Sequence, residues 1–184
     1  LLVAILHTIM SRVVHAQEAE ELVQYRNFFG IDARLVVWIV SELHLMFAAF
    51  VLGVPMFAVT VEIIGAKSGD IRFDNLAREF TKLLSAAFAT TAAMGGLLAF
   101  CLYGLYPGFM RYMTDVFHPI MFVYALLFFA EAFCLYGYYY SWDVLKEKGK
   151  WFHIFLGIML NVFGTTLMFL ANSKPSILGI ITYQ

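Results

Sequence analysis

Residues 35–65 read LVVWIVSELHLMFAAFVLGVPMFAVTVEIIG, an apolar run long enough to cross a bilayer, with His44 in its first half and Glu62 near its end. Hydrocarbon offers backbone N–H and C=O groups no partners, so such a run crosses as a helix and not as an open strand. The eighteen residues from His44 to Glu62 make whole turns of an ideal helix, which predicts that both side chains project from roughly one face, about 27 Å apart along the axis. Ionisable groups at membrane depth are costly and usually face a bundle interior, so each is a candidate functional residue. Gly53 and Pro55 lie between them and are expected to bend the helix beyond His44.

Three further runs have membrane length. Residues 83–106 read LLSAAFATTAAMGGLLAFCLYGLY, 118–141 read HPIMFVYALLFFAEAFCLYGYYYS, and 152–173 read FHIFLGIMLNVFGTTLMFLANS. The 184 residues are 62% hydrophobic and only 14% charged, with a mean hydropathy of +0.80, which excludes an ordinary soluble domain. The expected fold is all-α: an integral membrane four-helix bundle over 35–173, with an additional N-terminal hydrophobic helix. The net charge is −1 and no basic stripe occurs, so the partner implied by composition is the lipid bilayer and not nucleic acid. Cys101 and Cys134 fall in apolar runs and read as buried, inert thiols. No CxxCH motif occurs, which excludes covalent c-type haem attachment in this chain.

The flanks are expected to differ from the bundle. Residues 1–34 form a hydrophobic, signal-anchor-like segment followed by an interfacial stretch, YRNFFGIDAR; His7 and His15 are read there as incidental. Residues 174–184 form an apolar tail. Lys67, Arg72, Arg78, Lys82, Lys146, Lys148 and Lys150 lie on one side of the bundle, against Arg26, Arg34, Arg111 and Lys174 on the other. The positive-inside rule then puts the loops after the first and third runs in the cytoplasm, with Glu62 near that boundary and His44 toward the outer half. The expected setting is a bacterial or archaeal cytoplasmic membrane.

His44 has three readings from residue type and depth: a core histidine bonded to a carbonyl, a member of a proton path, or an axial ligand of haem iron. His118 and His153 begin the third and fourth runs at opposite ends, so no pair of histidines at matching depth marks a bis-histidine site. Glu131, deep in the third run, suits proton transfer or a neutral acid bonded across helices. Glu62 and Glu131 are together the candidate proton pathway. No residue is a candidate for bond-making catalysis. Ala86, Ala87, Ala89, Ala92, Ala93, Gly95 and Gly96 crowd the second run and allow close helix packing or room for a flat cofactor. Asn161 reads as an interhelical hydrogen bond, and Tyr138–Tyr140 with Trp142 as an interfacial aromatic belt.

The motifs ELHLMFAAFVLG (42–53) with VEII (61–64), FHPIMFVYALLFFAEAF (117–133) with SWDVL (141–145), and LANS (170–173) together resemble subunit I of the cytochrome bd quinol oxidases, over its first four helices, from about 31 to 173. The resemblance implies that His44 is an axial ligand of a haem and that Glu131 belongs to the haem pocket or to proton delivery. It implies haem b ahead of haem d, electron transfer linked to quinol, and other membrane subunits of a respiratory complex as partners. The sequence departs from the pattern at Val123 and near Phe100, where the family has glutamates. The later helices of the family are not among these residues, so the chain is not expected to be a complete terminal oxidase alone. The alternatives are a haem-free structural anchor or a proton-conducting subunit.

Overall fold

A computed structural model describes residues 26–145 and 149–182, with side chains as far as Asn172. Its elements are α1 (Ala33–Ser68), α2 (Ile71–Leu105), α3 (Pro107–Tyr140), the single turn α4 (Trp142–Leu145) and α5 (Lys150–Thr182). The expected all-α class is observed; among the described residues the one β-type pairing is an isolated bridge between Phe28 and Ile31. The helices α1, α2 and α3, and α5 over Lys150–Asn172, are long and apolar enough to cross a membrane. The N-terminal hydrophobic helix expected before the bundle, with His7 and His15, lies outside the described residues.

Each helix outruns the apolar stretch that announced it. The 36 residues of α1 rise about 54 Å, well beyond the ~30 Å hydrocarbon core, so its ends reach the interfaces. Gly53 and Pro55 do not interrupt it. Helix α2 starts at Ile71 and not near 83. Its charged first turns are still amphipathic, since Ala77, Thr81 and Leu84 are all fully buried. Asp70 caps that start: its Oδ1 accepts the Arg72 N–H at 3.0 Å. The Arg72 guanidinium, donating to both oxygens, holds the Asp70 carboxyl below its usual range. Helix α3 starts at Pro107 and not at 118, because a proline has no N–H to lose and a fixed φ that suits a first turn. His118 is therefore an exposed residue inside α3. The expected tail after 173 continues α5 as helical backbone through Thr182.

Only Gly69 and Asp70 separate α1 from α2. Gly69 sits at φ 71°, and its N–H donates to the Gly65 carbonyl at 2.9 Å, closing the last turn of α1 in a conformation that a residue with a Cβ resists.

The chain forms two compact units. One comprises the residues up to His44 with Ala93–Pro119. Its buried residues include Ala33, Leu105, Met110 and Phe117, and the Arg26 N–H donates to the Leu105 carbonyl at 2.9 Å. The other comprises Leu45–Ala92 and the residues from Ile120 onward. In it all four long helices share one core: Val51 and Val54 from α1, Leu84 and Phe88 from α2, Cys134 and Leu135 from α3, and Leu160 from α5. A second core of Val59, Val61, Ala77, Tyr138, Trp142 and Ile154 lies toward the α1–α2 turn.

Gly157 lets α5 approach this second core: a Cβ there would run into Val59 and stand 3.0 Å from Tyr138 Cε2. Gly157→Val is therefore expected to lower stability by about 1–3 kcal/mol through overpacking, read as a fall in Tm in detergent. Gly104→Ala, whose Cβ would meet nothing within 4 Å, leaves the Tm unchanged or raises it.

Candidate functional site

Glu62 is fully buried in α1, and a buried carboxylate is tolerable only if its oxygens are satisfied. Three donors reach it. The Tyr138 hydroxyl donates to Oε2 at 2.5 Å, His153 Nδ1 lies 2.6 Å from Oε1, and Lys150 Nζ lies 2.8 Å from the same oxygen. Lys150 also pairs with Asp74 of α2 at 2.9 Å. The other nitrogen of His153, Nε2, lies 2.8 Å from the Tyr138 carbonyl. Both partners of the imidazole are acceptors, so the two bonds form together only on the doubly protonated ring. The ring stacks on Tyr138 at 4.2 Å and meets Trp142 edge-on at 4.5 Å, while Lys150 Nζ stands 5.3 Å from the Trp142 ring. A cavity of about 450 Å³, walled in part by Gly65, Gly69, Asp74, Gly149 and Lys150, opens beside the cluster.

Glu131 is also buried, at 6% exposure, but its surroundings differ. No hydrogen bond joins it to another described residue. Its carboxyl occupies the space left by Gly164, where a Cβ would stand 2.7 Å from Oε1, and Leu52 lies nearby. His44, in the other unit, is half-buried, and its ring lies against Gly95 of α2. A Cβ on Gly95 would stand 3.0 Å from His44 Cε1.

A haem brings four nitrogen ligands of its own and asks the protein for one or two axial atoms and an apolar recess. His44 could supply such an axial atom, as an imidazole in a membrane-length helix whose ring lies against the Gly95 backbone. Among the described residues no three His, Cys, Asp or Glu side chains converge on a bare metal ion.

The structure thus gathers Glu62 with residues that the sequence did not single out. Lys150, His153, Asp74 and Tyr138 all surround it. The available signal was Glu62 itself, since a buried carboxylate near a helix end calls for cations at matching depth on other helices. Tyr138 and Trp142, expected in an aromatic belt, are buried in this cluster instead, while Tyr140 remains exposed. Asn161, expected to bond between helices, donates to the Gly157 carbonyl of its own helix, and its Oδ1 has no partner. Glu42 is exposed. Cys134 is buried, Cys101 half-buried, and both are free thiols.

Removing one member of a buried ion cluster strands the others. Glu62→Ala is expected to destabilise the folded chain by about 3–5 kcal/mol. Tyr138→Phe, which deletes one bond to a charged acceptor, is expected to cost about 1.5–3 kcal/mol. Equilibrium unfolding in mixed micelles orders the two; a Glu62→Ala protein as stable as the parent would mean that the cluster does not hold these helices together.

Residues 33–174 match the family model described as cytochrome bd terminal oxidase subunit I. A Bacillus subtilis (strain 168) protein, named as a candidate cytochrome bd menaquinol oxidase subunit I, is 29% identical over 131 residues, covering 69% of this chain and 27% of that protein. The bd oxidase structure from Geobacillus thermodenitrificans superposes with a TM-score of 0.71 at 23% identity, over 78% of this chain and 33% of that one, a likeness of fold. The chain thus spans roughly a quarter to a third of the proteins it matches. With four membrane-length helices among its described residues, it is an integral protein of the bacterial cytoplasmic membrane. The match extends over most of the sequence and includes His44, Glu62 and Glu131; the chain belongs to the cytochrome bd terminal oxidase subunit I family.

Proposed function

We propose that the chain is a haem-carrying, electron-transferring portion of a respiratory quinol oxidase subunit, with His44 as axial ligand of a haem b, haem d being the alternative. The observation that carries this reading is the seat of the His44 ring on Gly95, within the span that matches the family. Bound there, a haem would supply one-electron redox chemistry. The chain's own residues would do the rest. His44 binds and orients, and the apolar helix faces exclude water. Glu131, which has no hydrogen-bond partner among the described residues, can gain or lose a proton without breaking a bond within the protein. Glu62, beside the cavity at the α1–α2 turn, is the candidate end of a proton route on the cytoplasmic side. The menaquinol named in the Bacillus relative's description supports a quinol as electron donor, and the greater length of both relatives supports further membrane helices and subunits as partners.

A second reading, a haem-free anchor, draws on the two departures from the family pattern. The carboxylates that the family pattern leads one to expect are missing at Val123 and near Phe100, both exposed apolar side chains. A reduced-minus-oxidised difference spectrum of the purified chain separates the two. The expected result is a haem b band that is lost in His44→Ala and kept in Glu131→Gln, with slowed proton uptake in the latter. A band that survives His44→Ala removes His44 as the ligand, and no band in the parent protein favours the anchor.

A further inference from the structure

We infer that Gly95 is a positioning residue, which by withholding a side chain sets the rotation of the His44 imidazole. The inference rests on the proposed role of His44 as a haem ligand. A Cβ built on Gly95 would stand 3.0 Å from Cε1, 3.4 Å from Nδ1 and 3.8 Å from Nε2 of His44. The corner of the ring between its two nitrogens therefore lies over the bare Cα of Gly95. An imidazole turns easily about χ2, so packing, not torsional preference, decides where its nitrogens point. Here the ring lies against the α2 backbone at Gly95, with Nδ1 nearer the place a Cβ would take and Nε2 further off.

The neighbouring glycine behaves otherwise. A Cβ on Gly96 would meet nothing within 4 Å. Helix propensity favours alanine over glycine at both positions, so an added methyl at 95 perturbs the ring while one at 96 stabilises the helix without touching it. Plain packing would make Gly95 a determinant of stability alone. Positioning makes it a determinant of ligand geometry, and the two are separable.

The experiment compares the parent chain, Gly95→Ala, Gly95→Val and Gly96→Ala, purified in detergent. Three quantities are read: haem per chain by pyridine haemochrome, the EPR spectrum of the ferric state, and the rate at which diethyl pyrocarbonate modifies His44 in haem-free protein, followed by mass spectrometry. Gly96→Ala is expected to match the parent in all three. Gly95→Ala is expected to keep its Tm and its haem but shift the EPR g values, as a turned ligand plane requires. Gly95→Val is expected to weaken haem binding by about 10- to 100-fold, the range for residues that orient a metal ligand, and to change the modification rate of His44. Unaltered haem content, EPR spectrum and modification rate in Gly95→Val overturn the inference while leaving His44 as ligand. Should Gly95→Val fail to fold, the EPR shift in Gly95→Ala decides. A parent chain without haem overturns the haem reading; the modification rates then decide the positioning role, a change in the Gly95 variants but not in Gly96→Ala supporting it and equal rates overturning it.

Discussion

One carboxylate organises the end of the bundle at the α1–α2 turn. Glu62 projects from α1 into the bundle interior, fully buried, and is met there by Tyr138 of α3 and by Lys150 and His153 of α5. Lys150 reaches on to Asp74 of α2, so four helices meet through one set of polar contacts. Two anions face one lysine and a histidine whose two bonds require both ring hydrogens. Desolvation offsets much of the Coulombic attraction in such a cluster. Its larger effect is on register: sliding any of the helices by a turn would leave a charge unpaired in an apolar core, a far greater penalty than repacking one aliphatic side chain.

At three places within its two units the chain opposes a bulky or polar side chain with a glycine. Tyr138 and Val59 crowd Gly157, the Glu131 carboxyl fills the space at Gly164, and the His44 ring lies on Gly95. Glycine weakens a helix, yet in these long, well-packed helices the local cost is outweighed by contact with a neighbour. The consequence differs at each site. At Gly157 the result is tight packing, whereas at Gly164 it is a carboxyl with no hydrogen-bond partner among the described residues.

Much of this was legible in the residues. Four apolar runs implied four membrane helices, because hydrocarbon leaves the backbone few alternatives. Their boundaries were not, since the first turns of α2 and α3 are charged and resemble loops until Asp70 and Pro107 are read as helix starts. His44 and Glu131 stood out as ionisable groups in hydrocarbon. Lys150 and His153 did not, because they lie at a helix entrance where polar residues are ordinary. Their significance depends on a partner ninety-one residues away, for His153 with Glu62, and no local pattern carries that pairing. Tyr138 was misread for the opposite reason: its neighbours form an aromatic run suited to an interface, and only the fold separates the buried ring from the exposed one.

That separation in sequence bears on how the protein is made. Glu62 is synthesised long before Lys150 and His153, which both belong to α5. Until that helix packs against α1, the nascent chain carries an acid without its Lys150 and His153 contacts, which is costly at membrane depth. Docking of α5 against α1 therefore supplies the partners that Glu62 lacks until then, so that burial of the acid and arrival of its partners coincide.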